Sequence, residues 1–81
     1  MDYDENEILF CYGEFASRVR AVKLLASEMR ESTMGVMTDA DVKALARVMI
    51  ALPTGRVECG PSVISWRHSQ EHRTDLIYKI V

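Results

Sequence analysis

The run Ile8-Leu9-Phe10-Cys11-Tyr12-Gly13 admits two readings, and the fold turns on which is taken. As helix, it opens a stripe of apolar residues comprising Ile8, Tyr12, Phe15, Val19, Val22, Ala26 and Met29. Their steps of four and three put them on one helical face. As buried strand, it is a short β-prone run stopped by Gly13, with a helix starting at Glu14. An interior glycine costs a helix about 1 kcal/mol relative to alanine, which counts against the first reading. Asp4, with Glu7 three residues on, resembles an N-cap box and counts for it. We read one helix over 6–31, with Gly35 as its stop.

At 1.5 Å per residue such a helix is about 39 Å long, while a chain of 81 residues has an expected radius of gyration of about 12 Å. The helix overhangs its own domain, and an overhanging apolar stripe calls for a partner. The expected contact face is Tyr12, Phe15, Val19 and Val22, joined by the loop methionines Met34 and Met37, whose flexible side chains suit adaptable contacts. A homodimer or a complex with another protein follows.

The rest of the chain reads with less ambiguity. Thr38 is an N-cap before Asp39 and Asp41, and Val42, Leu45, Ala46, Met49 and Leu52 share one face of a helix over 39–52, ended by Pro53 and Gly55. A short strand over 56–59, a break at Gly60-Pro61, and two β-rich runs over 62–68 and 74–81 follow, the last two forming an antiparallel hairpin. Period-two alternation puts Ile64 and Trp66 on one face of the first run, and Leu76, Tyr78 and Ile80 on one face of the second. The fold class is therefore α+β, in one small domain spanning 1–81.

Composition excludes several classes. Hydrophobic content is 48%, well above the disordered range, and no run approaches the roughly 18 apolar residues of a membrane span. The N-terminus MDYDENE has no basic region before an apolar core, so we expect no secretory signal and a cytoplasmic location. Cys11 and Cys59 lie far apart with no CxxC, which suits reduced thiols better than a disulfide scaffold. Net charge is −2, with Asp2, Asp4, Glu5 and Glu7 all in the first seven residues. That balance is no signature of a nonspecific nucleic-acid binder, which is usually strongly basic.

The stretch SWRHSQEHRTD, Ser65 to Asp75, concentrates the polar chemistry. His68 and His72 have H-x3-H spacing, but they span a strand end and a turn, with only Cys59 as a distant thiol, so no metal site is assigned and no cofactor is expected. Arg67, His68, His72 and Arg73 form a candidate nucleic-acid wing, with phosphate contacts from the cations and Trp66 available to stack. Against it, Glu58, Glu71 and Asp75 lie in the same region, and Trp66 alternates into the apolar face.

The segment W-R-H-S-Q-E-H-R-T-D-L-I-Y, Trp66 to Tyr78, also resembles the hairpin of RelE-type ribonuclease toxins, YoeB-like ones in particular. There a Trp-led basic strand turns through an E-H-R triplet into a strand carrying a tyrosine. The resemblance implies that Arg73 stabilises the phosphorane charge and that Glu71 or a histidine takes the proton of the attacking 2′-hydroxyl. It also implies the element order β-α-α-β-β-β, which requires the strand reading of residues 8–12. Here Trp66 lies two residues closer to the triplet than in the family, and Tyr78 two residues further away. No G-x-S-x-G, P-loop or H-E-x-x-H is present.

Taken together, these readings lead to a small non-enzymatic regulatory or inhibitory protein that acts by binding another protein. Antitoxin-like partners and inhibitors carried by phages and mobile elements are of this type. The alternatives are a nucleic-acid-binding regulator and the ribonuclease toxin.

Overall fold

The computed structural model describes residues 3–81, which form a two-helix layer on one face of a four-stranded antiparallel sheet. The order along the chain is β1 (Ile8–Cys11), a 3-10 turn (Tyr12–Glu14), α1 (Arg18–Ser32), α2 (Asp39–Ala51), β2 (Thr54–Cys59), β3 (Ser62–His68) and β4 (Asp75–Ile80). The sheet order is β1-β4-β3-β2. The first strand thus closes one edge beside the last, and the hairpin partner β2 forms the other.

The α+β class, the second helix and the C-terminal hairpin are as the sequence indicates, with β2 longer than the 56–59 expected. The single helix over 6–31 is not. Ile8 to Cys11 is a strand, paired with β4 in the register Ile8↔Tyr78 and Phe10↔Leu76. The helix starts only at Arg18, where the Ser17 hydroxyl caps it by accepting from the Arg20 amide at 3.2 Å. Asp4 and Glu7 make one half of a capping box: the Asp4 amide donates to the Glu7 carboxylate at 3.1 Å, while the Asp4 carboxylate accepts from the Asn6 amide at 2.8 Å and the Glu7 amide donates to the Asp4 carbonyl at 3.1 Å. They close a turn that leads into a strand instead.

The reason lies in long-range pairing. Apolar spacing at 8, 12 and 15 suits helix and strand-plus-turn alike, and β4 supplies hydrogen-bond partners that an isolated segment lacks. Gly13 is needed for close approach, since a Cβ there would lie 2.5 Å from the Thr74 hydroxyl oxygen. With α1 reduced to 15 residues, about 22 Å at 1.5 Å per residue, the overhang disappears. The Cα radius of gyration is 11.7 Å.

The core lies between the helices and one sheet face. Ala21, Val22, Leu25, Ala26 and Met29 of α1 and Val42, Leu45, Ala46, Met49 and Ile50 of α2 meet Phe10, Ile64, Trp66, Leu76 and Tyr78. Trp66 packs over Gly55, where a Cβ would fall 2.3 Å from the indole ring, and its N–H donates to the Leu52 carbonyl at 3.1 Å. Ile77 points to the opposite face yet is only 1% exposed, set between Leu9 and Arg67 of the flanking strands.

Helix α1 ends in paired left-handed residues. Gly35 donates to the Arg30 carbonyl and Met34 to the Glu31 carbonyl, each at 3.1 Å, the pattern of a Schellman stop. The left-handed position normally given to glycine holds Met34, at φ 55°.

Among the described residues no helix is long and apolar enough to cross a membrane. Cys11 and Cys59 stand on the two opposite edge strands and form no disulfide.

Candidate functional site

Two groups of basic side chains stand out, one at the β3–β4 tip and one on the helices. The tip begins with Arg67 and His68, which alternation sends to opposite faces of β3. On the helix side, His68 Nε2 lies 2.7 Å from the Met49 carbonyl, which only accepts, so Nε2 carries a proton. Its Nδ1 faces the Tyr12 hydroxyl at 3.3 Å, and that hydroxyl donates to the Arg73 carbonyl at 2.8 Å. The imidazole thereby ties together the last turn of α2, the end of β1 and the tip loop. Burial pushes the Tyr12 phenol up, with Asp75 adding to the shift and Arg18 opposing it, so Tyr12 remains a donor.

On the outer face, the Arg67 guanidinium binds the Glu7 carboxylate. The hydrogen bond from Arg67 is the main cause holding the Glu7 carboxyl below its usual range, aided by the Asp4 backbone. The loop itself is closed by Ser69, whose buried hydroxyl accepts from the amides of Glu71 and His72 at 3.2 and 3.3 Å. The Asp75 amide donates to the His72 carbonyl at 2.8 Å. Of the four wing candidates, Arg67 and His68 are thus held in the fold, and only His72 and Arg73 are exposed, next to the equally exposed Glu71.

Trp66, 5% exposed, offers no stacking surface. Tyr78, the tyrosine of the ribonuclease resemblance, is buried with its hydroxyl on Glu28 at 3.2 Å. Burial, reinforced by that carboxylate, pushes its phenol far up and keeps it protonated. Among the described residues no cluster of three or more His, Cys, Asp or Glu side chains is placed to hold a metal.

The helix-borne group differs. Arg18, Lys23, Lys43 and Arg47 surround a depression between α1 and α2 whose remaining lining is Val19 and Val22. A second depression, lined by Ser17, Val19, Arg20, Lys23 and Leu24, lies on the other side of Val19. Val19 is 66% exposed, and Leu24 is also exposed. None of these five cations is in an ion pair among the described residues, whereas Arg30, Arg56 and Arg67 each are. The first turn of α1 contains no acidic residue, although the positive end of a helix dipole favours one, as Asp39 and Asp41 show in α2.

The expected contact stripe is divided by the fold. Val22 and Met37 are in the core, and Tyr12 and Phe15 are half-buried against it. Val19 and Met34 are exposed, Met34 at 91%. The cations beside Val19 are what sequence reasoning missed. Lys43 and Arg47 are four apart on one helix, and Arg18, Lys23 and Arg47 have no acidic residue three or four positions away within their helices. That was the available signal. No family model, curated protein or solved structure matches the chain.

Proposed function

We propose that the protein is a non-enzymatic regulator or inhibitor that binds another protein, docking an acidic segment with an aliphatic anchor on the α1–α2 face. The observation that carries this reading is the set Arg18, Lys23, Lys43 and Arg47, in no ion pair among the described residues, around the exposed Val19. Unpaired cations steer and orient an acidic partner, and an apolar floor gives the anchor a place to bury. An aliphatic floor with no aromatic side chain favours a protein over a single-stranded nucleic acid, whose bases need stacking platforms.

The test is affinity capture from the native host with the wild-type protein and with K43E/R47E, over a salt gradient. A stoichiometric protein held by wild type, lost with the variant and released by salt supports the reading. Equal capture by both overturns it. Nucleic acid in the eluate would move the argument to a phosphate partner.

One observation favours a second reading. The element order β-α-α-β-β-β is the one implied by the resemblance to RelE-type toxins, and Arg73 and Glu71 are exposed at the tip. That reading requires RNA cleavage abolished by Arg73→Ala, and an intact RNA substrate with wild-type protein rejects it.

A further inference from the structure

Strand β2 is an edge of the sheet. Val63 and Val81 exchange both backbone hydrogen bonds, each at 2.9 Å, so the odd-numbered residues of β3 face β4 and its even-numbered residues face β2. The His68 amide, bound to the Pro53 carbonyl at 2.9 Å, continues that pattern. Through the register Cys59↔Ser62, Val57↔Ile64 and Gly55↔Trp66, the odd positions of β2 spend their backbone groups on β3. Thr54, Arg56 and Glu58 therefore turn their amides and carbonyls toward the open edge.

The side chains along this edge are self-complementary. Arg56 and Glu58 stand on the helix-free face, paired with each other at 3.4 Å and with side chains 64% and 69% exposed. On the other face a groove between α2 and β2 is lined by Val36, Leu45, Val48, Val57 and Cys59, with Asp41 and the edge residue Glu58 at its margin and with Val36 and Val48 exposed. Charged residues on an edge strand ordinarily discourage pairing. Opposite charges two residues apart do something else, because an antiparallel copy of the same strand presents them in reverse order.

We infer that β2 pairs antiparallel with β2 of a second copy of this chain, about a two-fold axis at Val57, joining two four-stranded sheets into one. With the axis there, Arg56 faces Glu58 of the partner subunit, and Glu58 faces Arg56 of the partner subunit. Both pairs use outward backbone groups, so each exchanges two hydrogen bonds, and directly opposed unlike charges stabilise such pairs. Moving the axis to Arg56 or to Glu58 sets like charges against each other, and moving it to Gly55 or Cys59 leaves both charges facing uncharged residues, so the charges favour the register centred on Val57. Val57 then meets its own copy. Val48, which shares the groove with Val57, is brought toward the axis from both sides, joining the apolar parts of the two grooves. The contact is isologous and closed, and it leaves the basic helix face free.

Sedimentation velocity and light scattering on wild type, Arg56→Glu, Glu58→Arg and the double exchange R56E/E58R test this. Wild type is expected to show twice the 9.2 kDa protomer mass. Each single reversal puts like charges in both cross-strand pairs and weakens association by roughly tenfold or more. The double exchange restores it. Circular dichroism should report the same fold in all four proteins. Hydrogen exchange should show the Arg56 and Glu58 amides protected in wild type and the double variant only. A wild type that is monomeric at every concentration overturns the inference, as does a dimer indifferent to both single reversals with these amides unprotected.

Discussion

The β3–β4 tip and the α1–α2 face hold similar numbers of basic side chains and use them in opposite ways. At the tip, Arg67 is bound to Glu7, His68 is fixed between Met49 and the Tyr12 hydroxyl, and that hydroxyl holds the Arg73 carbonyl. On the helices, Arg18, Arg20, Lys23, Lys43 and Arg47 make no ion pair among the described residues, and two of them occupy a helix start where the dipole disfavours cations. A dense cluster of charged letters is thus a poor guide to a binding surface. Cations left without partners, around exposed apolar side chains, are a better one.

The largest effect should come from the tip. Replacing His68 with alanine leaves the Met49 carbonyl without its donor and empties the space beside the Tyr12 ring. We expect a loss of about 1–3 kcal/mol in denaturant unfolding. A loss under half that would show that the imidazole is no strut between α2 and the tip.

Gly13→Ala should destabilise by a similar or smaller amount, about 1–2 kcal/mol, because the new methyl meets Thr74. Pairing it with Thr74→Ser, which removes one of the crowded atoms, should recover part of the loss. A stabilised Gly13→Ala protein would instead restore the helical reading of residue 13.

Glu7→Gln isolates the ion pair over the outer face. Folding lowers the Glu7 carboxyl below its ordinary value, so its contribution is fully present above the unfolded-state pKa and is lost as pH falls through the lower folded-state value. The wild-type advantage over Glu7→Gln, about 0.2–1 kcal/mol near neutral pH for a partly exposed pair, should therefore shrink on acidification below the usual carboxylate range. An advantage that grows in acid would contradict the assigned sign.

The smallest stability effect, within about 0.5 kcal/mol, is expected for Arg47→Glu on the helix face. Thermal melts should barely move while partner capture falls. A melt as strongly affected as that of His68→Ala would erase the difference between the two clusters.

Much of the local architecture was legible in sequence. Thr38 caps α2 by accepting from the Asp41 amide at 3.2 Å, and the alternation of Ile64 and Trp66 with Leu76, Tyr78 and Ile80 does mark the core face of the hairpin. These features depend on side-chain periodicity and on groups within a few residues of each other. The first strand was not legible, because Ile8 to Cys11 satisfies both periodicities and only β4, more than sixty residues later, decides between them. The site was less legible still. Arg18 and Lys23 belong to one helix and Lys43 and Arg47 to another, and no local rule brings them together.

Local composition by itself determined the α+β class, the second helix, its cap and the paired C-terminal strands, since short-range hydrogen bonding and apolar alternation suffice for each. Tertiary structure alone decided the fate of residues 8–12, the division of the Tyr12 to Met37 stripe between core and surface, and which cations form ion pairs among the described residues. Those outcomes depend on what segments distant in sequence place beside one another: a hydrogen-bonding strand for Ile8–Cys11, a carbonyl for His68 and a carboxylate for Arg67.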